Sequence, residues 1–455
     1  MIAGIDIGTS SVKVLCYENG EFVKKVRVPY EQNTPENWLL AIKKALAETD
    51  TEKITEIGFS SQVGTQVIND KNVISWNEAA GKEELDIIKK RFDESCFSDE
   101  ISMPHPDVIS YPIPRIMYAK KHYDVEKLCQ PKDFIINFLT GNYISDIYSW
   151  RGLANIEKCE YSKTFLDFTG ISPKALPRLA KPQETAGCVT DSAAKFTGLK
   201  KGTAVYTGMN DFFASLLGMG MLKSGQLFDI TGTSEHLGTL CKNTAAKTKM
   251  ISSPYIKDSV IYGVTASSGV SLETARKRYS NLIVPEGFMP GKSTPIFLPY
   301  LKGERAPIFD VNARGVFFGI DADTCDCDMA YAVSEGVVFS IYHIYENLSL
   351  DFKPESMIVS GGAANNDFLN QLKANVFDIK VKVPDEKDTS AAGAVITAIA
   401  GSEGISLCKA CDSFRRTEKT YNPVFCPIYR KRFEIYKNIY KNLKTEFKNL
   451  KEVYT

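Results

Sequence analysis

Asp6 stands two residues before Gly8-Thr9-Ser10, Lys13 follows that turn, and the segments on both sides are apolar and strand-like. A tight strand–turn–strand of this kind offers backbone N–H groups and hydroxyls to oxyanions, which is what a phosphate requires. In one reading the Asp6 carboxylate is an oxygen ligand for Mg2+; in the other it caps the turn. Lys13 either reaches the phosphates or faces solvent. The pattern returns as Asp229-Ile230-Thr231-Gly232-Thr233-Ser234, again at the end of an apolar strand. Two such turns facing one another would clamp a triphosphate.

Two further stretches carry chemical potential. Gly208-Met209-Asn210-Asp211 follows a strand-like segment and opens an apolar helix. Asp211 there is either an N-cap or a general base that takes the proton of an attacking hydroxyl. Ser360-Gly361-Gly362-Ala363-Ala364-Asn365-Asn366 runs from a strand end through a diglycine into a helix. That allows close backbone approach by a flat polar ligand, or is a plain connecting turn. Gly287 to Ser293 imitates a P-loop but is one residue short, with Pro290 inside the loop, and is rejected.

These residues must be held by elements that the hydrophobic pattern predicts. Residues 1–17 read as a hairpin, Pro35 to about Glu48 as a helix with Trp38, Leu39, Ile42 and Leu46 on one face, and Ile54–Ser60 as a strand. A second set of strands and helices follows Gly220–Gly225, a stretch dense in turn formers. The expectation is an α/β chain with a duplicated domain, divided into 1–221 and 222–455. Beyond Tyr421, the apolar residues 429, 433, 436, 440, 443, 447 and 450 recur at helical spacing, predicting a docked amphipathic helix.

The chain has 455 residues, 55 basic and 55 acidic, and 44% hydrophobic residues, a composition that excludes bulk disorder and fits more than one domain. Zero formal net charge supplies no general attraction to nucleic acid or an anionic membrane, so neither is expected as a partner. The 11 cysteines lack a framework spacing and read as reduced thiols, and no long apolar run or leader is evident, so a cytoplasmic location is expected.

The ordered set resembles the FGGY family of carbohydrate kinases, within the actin-like, ribonuclease-H-like ATPases, over residues 1–402. Asp6 to Lys13 is similar to the family's first phosphate motif, Gly208–Asp211 to its catalytic-aspartate motif, Asp229–Ser234 to its second phosphate motif, and Gly361–Asn366 to its adenosine motif. Phe297 to Ile320, with Gly303-Glu304-Arg305-Ala306-Pro307, is similar to the xylulokinase and gluconokinase branches, and Ser110 to Tyr118 resembles a family signature with Arg115 and Tyr118 where Lys and Trp are usual.

The resemblance implies two ribonuclease-H-like domains with an active-site cleft between them, and MgATP-dependent phosphorylation of a ketose, polyol or sugar acid. It implies Asp211 as base and Asp6 as the organiser of Mg2+. Gly8, Thr9, Ser10, Lys13, Gly232, Thr233 and Ser234 would hold phosphates, and Gly361, Gly362, Ala363, Asn365 and Asn366 would line the adenosine pocket. Sugar contacts would come from Val63, Gly64, Trp76, Asn77, His105, Asn210 and Asp211, with Trp150 and Arg151 as further candidates. Val63-Gly64 stands where xylulokinases resemble Met-His, the arginine usual after the Trp-Asn-Asp segment is replaced by Ala79-Ala80-Gly81, and Phe212 replaces a polar residue. These departures point away from D-xylulose. The rival readings are a non-catalytic sugar-binding relative and a chaperone-type actin-like ATPase; a homodimer is left open.

Overall fold

The computed structural model describes all residues except 104–107, 243–248, 279–283, 286, 415, 417 and 454–455. The chain forms two compact units, one of Met1–Leu222, Ser253–Lys257 and Asp388–Arg415, the other of Lys223–Ser252, Asp258–Lys387 and Arg416–Thr455.

In the first unit, the main path of the sheet runs Thr185–Cys188, Ala204–Tyr206, Glu56–Ser61, Ile2–Ile7, Ser11–Glu18, Glu21–Pro29. Ile2–Ile7 pairs antiparallel with Ser11–Glu18 and parallel with Glu56–Ser61. Because strand side chains alternate faces, residues 3, 5 and 7 enter one layer and residues 4 and 6 the other. Ala3, Ile5 and Ile7 join Val12, Val14, Trp38, Ile42, Leu46, Ile57 and Phe59 in one apolar core. Trp38, Ile42 and Leu46 come from the helix Pro35–Ala47, whose N-cap Thr34 accepts a hydrogen bond from the Asn37 amide and whose first residue is proline.

The opposite face receives the helix Thr389–Ser402, buried from Thr389 through Ala400. Its backbone comes so close that a Cβ on Gly58 would lie 1.9 Å from the Ala394 carbonyl, and one on Gly393 would lie 1.9 Å from the Ala214 carbonyl. Residues 388–415, which the sequence reading assigns to 222–455, therefore lie in the first unit. The reason is that this helix of small and apolar residues, buried all round from Thr389 to Ala400, is enclosed by the first sheet and the helix Asp211–Met219.

The second unit repeats the strand pattern. Asp258–Val264, Glu235–Cys241, Gln226–Thr231, Ser356–Gly361, Lys380–Pro384 and Glu418–Tyr421 lie in order, Gln226–Thr231 again pairing antiparallel on one side and parallel on the other. Leu227, Met357 and Val359 pack with Tyr331, Val337 and Val338 of the helix Asp326–Asn347. The predicted tail helix is Ile428–Glu452, burying Tyr429, Phe433, Tyr436, Tyr440 and Phe447. Leu450 departs from the expected stripe and is 49% exposed. Arg432 on the buried face forms a fork with Glu335, donating from Nε to Oε1 at 2.8 Å and from Nη2 to Oε2 at 2.8 Å. Among the described residues no single helix is long and apolar enough to cross a membrane.

Gly58→Ala places a methyl group against a backbone carbonyl that no rotamer change can move, so it is expected to destabilise the first unit by about 3 kcal/mol. Urea unfolding of the purified variant beside wild type measures this.

Candidate active site

The strand alternation that buries Ile5 and Ile7 turns Asp6 to the other face, where it is 3% exposed. Register supplies its partners. Asp6 is opposite Ser60 in the parallel pair and opposite Lys13 in the antiparallel pair. Ser60 Oγ donates to Asp6 Oδ1 at 2.8 Å, Ser390 Oγ donates to Asp6 Oδ2 at 2.8 Å, and Lys13 Nζ lies 3.6 Å from Oδ2. Lys13 also pairs with Asp388 at 2.9 Å, and Lys25 pairs with the other Asp388 oxygen at 2.5 Å. Burial works against the charge on Lys13, but Asp6 and Asp388 outweigh it and its pKa is raised. Asp388 is likewise opposed by burial, and Lys13 and Lys25 hold its pKa below the usual carboxylate range.

The turn after Asp6 is braced from below. Gly8 N donates to the Ser11 carbonyl at 3.0 Å, and the Gly8 carbonyl accepts from the Tyr30 hydroxyl and from Gln62 Nε2, the latter at 3.2 Å. Thr9 and Ser10 remain exposed. Trp76, 41% exposed, donates its indole N–H to Thr9 Oγ1 at 2.9 Å. Its loop is held by Arg115, wholly buried, which donates to the carbonyls of Trp76 at 3.1 Å and Glu78 at 2.9 Å. Asn77 beside it is exposed.

Asp211 is the first residue of the helix Asp211–Met219, and the cap is its neighbour: Asn210 Oδ1 accepts from Phe213 N at 3.1 Å. The capping reading of Asp211 is thereby corrected. Asn210 is wholly buried and its Nδ2 donates to the Tyr148 carbonyl at 2.9 Å, so its amide serves the fold at both ends. Asp211 Oδ1 accepts from Phe212 N at 2.8 Å, and the Val63 amide also donates to this carboxylate. Burial first, and then the charge of Asp6, push its pKa up to about 7 against those two amides. Phe212 is buried, with the Arg151 guanidinium 5.4 Å from its ring centre. Gly64 has φ +81°, and a Cβ there would lie 2.9 Å from both Ser110 Cβ and the Ser110 carbonyl. Trp150 is a core residue, its indole N–H bonded to Ser145 Oγ at 2.9 Å. His105 lies outside the described residues.

In the second unit, Gly232 and Thr233 are exposed at the tip of the hairpin and Ser234 is half-buried. Thr231 Oγ1 donates to the Ser360 carbonyl at 2.7 Å and accepts from Ala363 N at 2.9 Å, tying this turn to the diglycine turn. Gly361 adopts φ +87° and a Cβ there would lie 2.1 Å from the Thr231 carbonyl, so only glycine fits. Gly362–Asn365 forms a short 3-10 turn with Gly362 and Asn365 exposed. Asn366 Oδ1 accepts from Leu369 N at 3.1 Å and caps the helix Asp367–Phe377. Asp229 does not mirror Asp6. Thr231 occupies the place of Ile7, directly before the turn, so Asp229 corresponds to Ile5 and faces the core, where it meets Lys373 at 2.5 Å.

Sequence reasoning missed Ser60, Asp388 and Ser390 as partners of the Asp6–Lys13 pair, Lys373 and Glu235 beneath the second turn, and the burial of Glu304 within the Gly303–Pro307 segment. Glu304 Oε1 accepts from Ala266 N at 2.5 Å and Arg305 N at 2.8 Å, and burial pushes its pKa up to about 7. For Ser60 the signal was present, since parallel register places it beside Asp6 once Ile54–Ser60 is read as a strand.

The profile of the FGGY family of carbohydrate kinases, N-terminal domain, matches residues 1–218, and that of its C-terminal domain matches residues 229–402. The chain belongs to the FGGY family of carbohydrate kinases. It is 27% identical to a xylulose kinase of Staphylococcus xylosus, covering 96% of this chain and 99% of that one, and 25% identical to a gluconokinase of Bacillus subtilis, covering 98% and 96%. Among solved structures, a ligand-bound xylulose kinase from Lactobacillus acidophilus superimposes with a TM-score of 0.84 at 25% identity, covering 99% of each chain. A gluconate kinase from the same organism gives the same values, and a Plasmodium falciparum glycerol kinase shares the fold with a TM-score of 0.82 at 17% identity. The protein is thus a sugar kinase with the two-domain α/β, actin-like ATPase fold of its family.

Because the native carboxyl of Asp211 holds its proton to higher pH than an unfolded one, the native state binds more protons between about pH 4 and 7 and stability falls as pH rises across that window. Asp211→Asn, which keeps the acceptor for Phe212 N, is expected to raise the melting temperature at pH 8 and to leave it little changed at pH 4, read by calorimetry at both values.

Proposed function

We propose that this kinase transfers the γ-phosphoryl group of MgATP to a hydroxyl of a ketose, polyol or sugar acid, with Asp211 as general base. The observation that carries this reading is Asp211 itself: a half-buried carboxylate, relieved of capping by Asn210, oriented by two backbone amides, and poised to gain or lose a proton near neutral pH.

The geometry supports the following roles. Asp211 accepts the proton of the attacking hydroxyl through its carboxylate oxygen, and the Phe212 and Val63 amides hold that carboxylate in place. The exposed hydroxyls of Thr9 and Ser10, together with Lys13, are assigned to the transferring phosphoryl group, and the Gly232–Ser234 turn is assigned to phosphate contact of its own. Mg2+ supplies charge neutralisation when bound. The residues fit it: Asp6 keeps acceptor capacity after its two serine bonds, since each carboxylate oxygen has two lone pairs, and the nearby Asp211 adds negative charge beyond what Lys13 offsets. Gly361 to Asn366 would line the adenosine pocket through backbone, because Asn366 is committed to its helix cap.

Substrate choice is supported as different from that of D-xylulose kinases. At position 64 the backbone is left-handed and Ser110 fills the space a side chain would take, so polar contact there falls to backbone or to Ser110. Trp76 offers an exposed apolar face beside the Gly8–Ser10 turn. A monomer or homodimer and a cytoplasmic location are both compatible with this role.

ADP release with MgATP across a panel of ketoses, polyols and sugar acids tests the reading. One class of sugar is expected to stimulate turnover, and Asp211→Asn to lower it by about a hundredfold or more while ATP binding persists. Near-normal turnover in that variant would remove Asp211 from the mechanism. In wild type, kcat/KM is expected to rise with pH through about 7 and then level, following deprotonation of Asp211 in the free enzyme.

A further inference from the structure

Lys373 is wholly buried, and its ammonium donates to Asp229 Oδ2 at 2.5 Å and to Glu235 Oε1 at 2.5 Å. These carboxylates lie on the two strands that lead into and out of Gly232–Ser234, with Glu235 paired directly to Thr231. Lys373 itself sits on Asp367–Phe377, the helix that begins where the diglycine turn ends. One side chain therefore joins both legs of the phosphate hairpin to the element carrying the adenosine turn. Glu235 is fixed from a second side, its Oε2 accepting from the Ser268 hydroxyl and its amide donating to Thr265 Oγ1 at 3.0 Å.

Stability alone does not explain this arrangement. Two carboxylates and one ammonium are buried together, and Asp229 Oδ1 has no hydrogen-bond partner among the described residues. A packed apolar cluster would fill the same volume at equal or lower free-energy cost. What the ionic cluster adds is direction: bonds of fixed length from one helix to two strands, which set the hairpin at a defined offset.

We propose that Lys373 is a positioning residue that holds the Gly232–Ser234 turn at the spacing a nucleotide needs between its adenosine and its phosphates. This rests on the nucleotide-binding reading given above. Lys373 touches neither ligand portion. Its loss releases Glu235 on the outgoing leg and lets Gly232–Ser234 shift about Thr231, so recognition of the phosphates fails, while the diglycine turn, still bonded to Thr231, keeps its recognition of adenosine.

The test is calorimetric titration of the full-length protein with MgADP and, separately, with adenosine. In Lys373→Met the dissociation constant for MgADP is expected to rise about tenfold or more, the loss of roughly one charge-assisted hydrogen bond, with adenosine within about twofold of wild type. Because Lys373→Met leaves buried carboxylates unpaired, the triple variant Asp229→Asn, Glu235→Gln, Lys373→Met is measured beside it. It removes the charges together and is expected to melt at or above the wild-type temperature while showing the same split. Equal weakening of both ligands, or no change in MgADP affinity in the folded triple variant, overturns the inference alone. Wild-type protein that binds neither ligand overturns the nucleotide reading and this inference with it.

Discussion

A carboxylate on an interior strand is tolerable only where hydrogen-bond donors and opposite charge meet it, and the construction of the first unit follows from how Asp6 meets that demand. Each partner arrives by a different structural route. Ser60 is placed by parallel register, Lys13 by antiparallel register, and Ser390 by a helix that returns from late in the chain. The hairpin, the neighbouring strand and the helix Thr389–Ser402 must all be seated before the charge is satisfied. Withdrawing one partner from a buried ion pair costs about 3–5 kcal/mol. The same strand alternation that aims Asp6 at its partners puts Ile5 and Ile7 into the core, so the placement of this carboxylate and the folding of the core share one register.

The second unit shows what happens when that register moves by one position. Both hairpins join apolar strands through a Gly-Thr-Ser turn, and both sheets flank the leading strand with one antiparallel and one parallel neighbour. The extra Thr231 sends Asp229 to the opposite face from Asp6. Buried on the core side, Asp229 has its pKa raised well above the ordinary value by burial and then by Glu235, and Lys373 answers both carboxylates. A likeness between two motifs in sequence thus conceals a structural difference: Asp6 meets Ser60, Ser390 and Lys13 on one face of its sheet, whereas Asp229 is tied to Lys373 in the core beneath the Gly232–Ser234 turn.

Much of this was legible in the sequence where the physics is local. Apolar alternation in residues 2–7 and 12–16, the spacing of Trp38, Ile42 and Leu46, and the aromatic stripe from Tyr429 to Phe447 each specify an element and its buried face. Asp211 and the glycine turns stood out as candidates because few residue types suit those positions. What was not legible depends on contacts distant in sequence. The helix Thr389–Ser402 carries no mark of which sheet it covers, since its small residues would suit any close partner; only Gly4 and Gly58 on the strands, seen with their neighbours, show where it fits. Asn210 and Asp211 are both good capping residues, and sequence alone does not divide the roles between them.

That division decides how Asp211 behaves. The start of a helix ordinarily favours a charged carboxylate, through its free amides and its dipole, and a capping aspartate there would titrate low. Asn210 takes the cap, which leaves Asp211 with amide bonds from Phe212 and Val63, crowded by protein atoms and facing the charge of Asp6. Burial and like charge then win over the amides. Asp6 thus enters two features: its own charge is met by Ser60, Ser390 and Lys13, and, second to burial, that charge raises the proton affinity of Asp211, whose pKa is pushed up to about 7.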